Sequence, residues 1–402
     1  MQKDAIVVGA GPSGSSCAAL LAKKGCKVLL LDEAVFPRDK PCGDAIGGKA
    51  LSVMSRLGIE NEIASKGFLR NSGIVFSSPC GHEVEIPLVA NGTKMSGGFV
   101  CKRADFDSIL FANASKYCEV LQGAEVVDLI FDDGKVCGVK ARCNGKEMEF
   151  HAKLVVGADG ANSIVARKTG CFKIEPLHYC SAIRGYYSGV GGLRGNIEIH
   201  FLPEALPGYF WIFPLSSSEA NVGIGMLLSE IIARRLNLEQ VLYKCMQSAR
   251  FAGRFQSARL EGKLQGWSLP LASARRRCAG NGFILVGDAA SLIDPFSGEG
   301  IGNGMKSAAI AADVLGERLS KGEISEQDCL EYENALWKEI REDVKNSYNM
   351  QRLGKNRWLL DFIIGKAKKS EKIREELASM IASREAKKKA ADPLFYLKLL
   401  LA

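Results

Sequence analysis

No apolar run in the 402-residue sequence approaches the roughly 20 residues needed to cross a bilayer, which excludes a membrane-spanning helix. The 13 cysteines include no CxxC pair, and the four histidines (His82, His151, His178, His200) stand singly, so no metal is expected. Proline is scarce, 12 against 43 glycines, a balance that excludes disorder and suits many close backbone approaches. No internal repeat, low-complexity tract or basic stripe interleaved with aromatics occurs, so nucleic acid is not an expected partner. A signal-peptide pattern is also missing, because an apolar strand begins at Ala5. With Cys17, Cys101 and Cys137 in apolar surroundings, this predicts reduced thiols and a cytoplasmic setting.

The length predicts two or three domains and a large core. The net charge of +8 is uneven: residues 357–402 hold 11 Lys/Arg against 6 Asp/Glu. That bias favours an anionic partner, acidic lipid or acidic protein. The tail reads REAKKK over 384–389 and LFYLKLLLA after Pro393, a pattern suited to peripheral contact with a membrane or to a terminal helix packed on the protein itself.

Near the N-terminus a strand over 5–8 runs into Gly9-Ala10-Gly11-Pro12-Ser13-Gly14, then a helix, then a strand over 28–31 ending at Asp32 and Glu33. Gly9 permits the tight turn, Gly11 lets a pyrophosphate reach the backbone, and Gly14 allows close helix–strand packing. The helix N-terminus offers N–H donors and the positive end of its dipole. Asp32 is placed to accept from a ribose hydroxyl. The unit signals an adenine dinucleotide.

Residues 206–214 read LPGYFWIFP. Alternation in a strand puts Tyr209, Trp211 and Phe213 on one face, with Phe210 and Ile212 on the other. After a short polar loop the chain returns as NVGIGML, with Gly223 and Gly225 on one face. The expected hairpin has an aromatic wall beside bare backbone, shaped for something long, flat and apolar, or for an ordinary aromatic core.

Further motifs carry a resemblance. Arg103 heads RADFDSIL, Asp159 sits in GADGANS after a strand, and Asp288 sits in GDAA before Asp294 and the glycine loop Gly298-Glu299-Gly300-Ile301-Gly302. This set resembles the flavoprotein group that includes para-hydroxybenzoate hydroxylase. It implies FAD as cofactor, with Arg103 towards the pyrophosphate, Asp288 on the ribityl chain, Asp159 supporting the dinucleotide fold, and the loop at 298–302 near the flavin.

Two segments point closer. Tyr209, Trp211, Phe213 and Pro214 look like the YxWxFP signature of the geranylgeranyl reductase family, and Asp39-Lys40-Pro41-Cys42-Gly43-Asp44-Ala45 looks like its cysteine loop. That resemblance implies FAD-dependent reduction of double bonds in geranylgeranyl chains, first of all those of archaeal ether lipids. Cys42 is then the candidate catalytic residue, with Gly43 and Asp44 beside the cofactor. Tyr209, Trp211, Phe213, Gly223 and Gly225 are candidate contacts for an isoprenoid lipid. The resemblance also implies an external electron donor, NAD(P)H or a ferredoxin-like protein, and the sequence, which has no second complete GxGxxG unit, does not choose between them. The alternatives are a monooxygenase or halogenase on the same scaffold, a reductase of geranylgeranyl diphosphate, chlorophyll or quinone side chains, and a non-catalytic prenyl binder.

The fold class expected is mixed α/β: a Rossmann-like FAD domain of para-hydroxybenzoate hydroxylase type over 1–70, 100–180 and 273–330. An antiparallel-sheet substrate domain is inserted over 71–99 and 181–272, and a helical region follows over 331–402. Arg275, Arg276 and Arg277 read as a solvated turn.

Overall fold

The βαβ unit at the N-terminus forms the centre of a sheet whose strands carry apolar side chains on both faces, because both faces are covered. The computed structural model describes residues 2–87, 89–90, 93–94 and 98–382. The tail segments 384–389 and 393–402, expected to meet a membrane or pack on the protein, lie outside the described residues.

Five strands run parallel in the order Glu119–Gln122, Val28–Asp32, Lys3–Val8, Lys146–Gly157, Phe283–Leu285. The chain steps one way from Lys3–Val8 to its second strand and the other way to Lys146–Gly157. A crevice opens where the order reverses, at the C-terminal ends of these strands. The helices Pro12–Lys23 and Ile301–Lys321 pack on one another beside the sheet. A Cβ on Gly14 would lie 1.7 Å from the Gly9 carbonyl oxygen, so only glycine allows the helix this close to the first turn. The strand that precedes Asp159 is the long Lys146–Gly157. Its first half leaves the parallel sheet to pair antiparallel with Lys135–Cys143, which pairs in turn with Ala124–Asp132.

The second sheet has seven strands, in the order Arg259–Pro270, Tyr179–Ser188, Ala220–Leu227, Tyr209–Pro214, Ile197–His200, Gly73–Ser77, Glu83–Pro87. Its pairings are antiparallel except that between Ile197–His200 and Gly73–Ser77. Phe210 and Ile212 are fully buried against Val222, Ile224, Leu242 and Phe251, which holds this face on the helix Leu238–Met246. The opposite face of the same strand turns towards the crevice. Three helices follow, Glu326–Leu353, Arg357–Lys369 and Glu371–Ala382. The first starts at a capping box in which Ser325 and Asp328 satisfy each other's backbone N–H groups.

The mixed α/β architecture is as the sequence implied. In the arginine run expected as a solvated turn, Arg275 and Arg277 are exposed but Arg276 is not. Arg276 lies over the Tyr179 ring at 5.3 Å, Arg277 donates to the Thr169 carbonyl at 2.6 Å, and Arg275 pairs with Glu333 at 3.4 Å. The three bind segments of the chain together.

Candidate active site

One cavity of about 1420 Å³ runs from the first glycine turn, between the two sheets, to the aromatic strand. Pockets for a single drug-sized ligand are typically about 300–1,000 Å³, so this one has room for a dinucleotide and a second occupant. Most of the residues singled out from sequence line it, among them Gly9, Gly11, Pro12, Ser13, Asp32, Glu33, Arg103, Asp159 and Asp288 at one side. Gly14, Gly223 and Gly302 stand behind the wall. Gly14 is closed off by the Gly9 carbonyl, Gly223 by the Trp211 ring, and Gly302 by Glu299 and Lys49.

At the turn, Asp32 Oδ2 accepts from the Ala10 N–H at 2.6 Å and Oδ1 from Ala34 N–H at 2.9 Å. Asp32 therefore holds the glycine loop in addition to facing the cavity. Arg103 is buried and makes a two-pronged pair with Asp107, Nε to Oδ1 at 2.6 Å and Nη2 to Oδ2 at 2.7 Å. Arg38 Nη1 reaches the same carboxylate at 2.7 Å. Both guanidiniums face Gly11: a Cβ there would lie 3.6 Å from Arg38 Nη2 and 3.9 Å from Arg103 Nη2. Two fixed cations and a bare backbone facing a helix N-terminus make a site for a pyrophosphate. Sequence reading missed Arg38 and Asp107, although Asp107 stands one helical turn after Arg103. Asp159 Oδ2 accepts from Ile164 and Val165 N–H, so it caps the helix Ile164–Lys168.

Further in, the cysteine loop is held from several sides. Asp44 is fully buried at φ +68°, and its N–H donates to Cys42 Sγ at 3.3 Å. Asn221 Nδ2 donates to the Cys42 carbonyl at 2.7 Å and to Asp44 Oδ2 at 2.8 Å, while its Oδ1 accepts from Trp211 Nε1 at 2.9 Å. Burial pushes the Asp44 carboxyl up to about 7 against the pull of Asn221, Tyr186, Arg184 and Arg103. The Cys42 thiol is also raised by burial, with Arg103 opposing. Cys42 therefore carries its proton at neutral pH, and the bond from Asp44 N–H leaves that proton uncommitted. Lys40 Nζ lies 3.3 Å from Asp288 Oδ2 and 5.2 Å from the Trp267 ring centre, one side of the cavity to the other. Asn221 and Lys40 were not singled out from sequence.

The aromatic strand pairs Tyr209 with Gly225, Trp211 with Gly223 and Phe213 with Asn221. A Cβ at Gly223 would lie 2.3 Å from Trp211 Cζ2, so the backbone expected to face a substrate is covered there by the indole itself. Gly225 remains in the cavity wall. The Tyr209 hydroxyl donates to the Ser297 carbonyl at 2.6 Å, tying the second sheet to the glycine loop, and burial raises its pKa. Phe213 lies against Gly43, where a Cβ would be 3.0 Å from its ring. The aromatic face thus packs over the cysteine loop and the 298–302 loop together. Ile74, Ile197, Ile199, Phe201 and Leu269 continue the apolar lining.

The model of an FAD binding domain matches residues 2–184. The menaquinone reductase of Mycobacterium tuberculosis is 33% identical over 322 residues, 78% of this chain and 77% of its own. Digeranylgeranylglycerophospholipid reductase 1 of Methanococcoides burtonii is 31% identical over 336 residues, 83% of this chain and 79% of its own. The chain belongs to the geranylgeranyl reductase family. The crystal structure of a geranylgeranyl bacteriochlorophyll reductase-like protein from Thermoplasma acidophilum shares the fold. It superposes with a TM-score of 0.78 at 24% identity, over 99% of this chain and 96% of that one. This member of the family is an FAD-dependent oxidoreductase, and its residues fit the cofactor: the glycine turn, the two guanidiniums and the helix N-terminus form the phosphate side. The 298–302 loop bounds the cavity beyond Asp288.

Proposed function

We propose that this reductase saturates carbon–carbon double bonds in the geranylgeranyl chains of a membrane lipid, a digeranylgeranyl glycerophospholipid before other carriers. The observation that supports this most is the continuity of the cavity, from the pyrophosphate side past the cysteine loop into a slot walled by Tyr209, Trp211, Phe213 and apolar strand residues. A flexible polyprenyl chain suits such a wall, which offers few polar partners. Menaquinone, named for the mycobacterial relative, also carries a polyprenyl chain, so the slot suits it on the same grounds.

When bound and reduced, FAD would supply the hydride for the reduction. The chain's own residues do the rest. Asp32, Arg38 and Arg103 would bind the dinucleotide, Arg38 and Arg103 at its phosphates, and Asp288 would hold the ribityl chain. Trp211 and Phe213 seat the isoprenoid and exclude water. Cys42, held protonated by burial, is the acid that delivers the matching proton to the other carbon of the double bond, and its thiolate is reprotonated from solvent. An external donor, NAD(P)H or a ferredoxin-like protein, restores the reduced state. The substrate chains rest in a bilayer, so the enzyme works as a peripheral protein on the cytoplasmic face of the membrane. Among the described residues no helix is long and apolar enough to cross it.

The test is anaerobic turnover with dithionite-reduced protein, read by mass spectrometry. Digeranylgeranyl glycerophospholipid should gain mass in steps of two hydrogens. Gain on menaquinone alone would move the substrate to the quinone, and no gain on either would reject the reading.

A further inference from the structure

Among the described residues nine large hydrophobic side chains are exposed, and three of them stand on adjoining elements beside the apolar end of the cavity. These are Leu177 at 61% exposure, Ile232 at 59% and Trp358 at 60%. Leu177 lies in the turn Pro176–His178, against which the helix Leu228–Ala233 packs. Ile232 is on that helix. Glu230, on the same helix, pairs with Lys355 at 3.6 Å, next to the start of the helix that carries Trp358. Trp358 stacks on Phe362 at 5.5 Å, and Phe362 packs in one apolar cluster with Leu206.

The same elements border the cavity. Arg234 Nη1 donates to the Leu206 carbonyl at 2.8 Å, and the next two residues, Pro207 and Gly208, line the cavity, as do Gln351 and Gly354. The exposed charge is mainly basic, with Asp361 one turn from Arg357 and bonded to the Cys80 N–H. Arg235, Arg352 and Arg357 are exposed and form no ion pair among the described residues. Glu230 is already engaged by Lys355. Isolated apolar side chains on a surface need no explanation, but three beside a cavity mouth and ringed by exposed arginines do.

We infer that this face, carrying Leu177, Ile232 and Trp358 with Arg235 and Arg357, docks on the surface of an anionic lipid bilayer. A tryptophan at such a surface sits at headgroup depth, where its ring is amphipathic enough to be stable. Arginines around it gain from the negative potential of the leaflet, and short apolar side chains add shallow burial without insertion. Docked in this way, the apolar end of the cavity lies against the layer that holds polyprenyl chains, and a chain passes from bilayer to slot without crossing water. The inference rests on the polyprenyl-lipid reading of the cavity and adds the surface by which the substrate is reached.

The experiment is sedimentation of full-length, FAD-loaded protein with vesicles of phosphatidylglycerol or of phosphatidylcholine alone, at low and high salt. The protein should pellet with the anionic vesicles and be released by salt. Trp358→Asp combined with Ile232→Asp should lower the bound fraction at least tenfold, and Arg235→Glu combined with Arg357→Glu should remove the salt-sensitive part. Both pairs are exposed, so flavin absorbance and turnover of detergent-dispersed lipid should stay at the wild-type level. Wild-type protein left in the supernatant, or undiminished pelleting of the Trp358/Ile232 variant, would overturn the inference. The second outcome would assign binding to another surface, the segment 383–402 included. Pelleting as expected with no reduction of dispersed lipid would retain the docking face and reject the substrate.

Discussion

The Trp211 indole donates a hydrogen bond to Asn221 Oδ1 at 2.9 Å, and this contact orients the whole aromatic wall relative to the cysteine loop. The Asn221 amide has only one arrangement that satisfies its partners. Its Nδ2 faces two acceptors, the Cys42 carbonyl and Asp44 Oδ2, which leaves Oδ1 for the indole. One buried side chain therefore positions both Trp211 in the cavity wall and the loop that carries the thiol.

Replacing Asn221 with leucine strands the Trp211 N–H, the Cys42 carbonyl and a buried carboxylate. Each unsatisfied group costs about 1–3 kcal/mol, so Asn221→Leu should lower stability by at least about 2 kcal/mol in urea unfolding. Flavin retention should change less than stability, because none of the Asn221 bonds goes to Arg38 or Arg103. A variant as stable as wild type would mean that these bonds form only weakly.

Asp44 links stability to pH. It is faced by Arg184 and Tyr186 from one strand, Arg103 from the helix Arg103–Ala114, and the thiols of Cys42 and Cys101. Its carboxyl is raised from 3.8 to about 7, so the folded protein keeps a proton that the unfolded chain releases. The contribution is complete below about pH 4 and is lost as pH rises to about 7, up to about 4 kcal/mol for a shift of this size. Asp44→Asn lacks the ionisation. Measured on protein stripped of flavin, wild type should lose stability relative to Asp44→Asn between pH 4 and pH 7.5. Parallel stability–pH curves for the two proteins would contradict the raised value.

The glycine turn and the aromatic strand were legible because each is local: spacing sets one and alternation the other. Register supplied what alternation could not, since only pairing shows that Phe213 meets Asn221 and that Trp211 covers Gly223. Arg38 and Lys40 were hidden for a different reason. Their partners, Asp107 and Asp288, are 69 and 248 residues away, and long-range ion pairs leave no period in a sequence. Arg276 misled because a run of arginines signals solvent, whereas here one of them is sequestered over Tyr179.

Arg103 and Asp107 are both buried, so removing one member leaves the other with less compensation. Arg103→Ala should cost about 3–5 kcal/mol and release most of the flavin on dialysis. Adding Asp107→Ala should recover part of the stability but none of the flavin affinity, since the cation facing Gly11 is still missing. Arg38→Ala should weaken flavin retention with a smaller loss of stability. Full flavin in dialysed Arg103→Ala/Asp107→Ala would remove Arg103 from the phosphate side.

Gly223→Ala places a methyl group where the Trp211 ring and the Ile183 carbonyl already are, 2.3 and 2.5 Å away. The indole must tilt, which should break its bond to Asn221 and cost about 1–3 kcal/mol. KM for the lipid should rise several-fold with the flavin spectrum unchanged. A wild-type KM together with wild-type tryptophan fluorescence would show that the ring has slack.

The final prediction separates the acid from the wall around it. Cys42 is protonated at neutral pH and its Sγ is fixed by the Asp44 N–H, which is the state the proposed proton donor requires. Serine keeps the shape and the accepted hydrogen bond but is a far weaker acid. Since a positioned acid contributes about 10²–10⁴-fold, Cys42→Ser should slow single-turnover alkene reduction by at least about tenfold. Flavin affinity and the rate of flavin reduction by dithionite should be retained. Alkene reduction at the wild-type rate would reduce Cys42 to a packing residue and pass the proton to another group lining the slot, with the buried Tyr209 phenol the next to test.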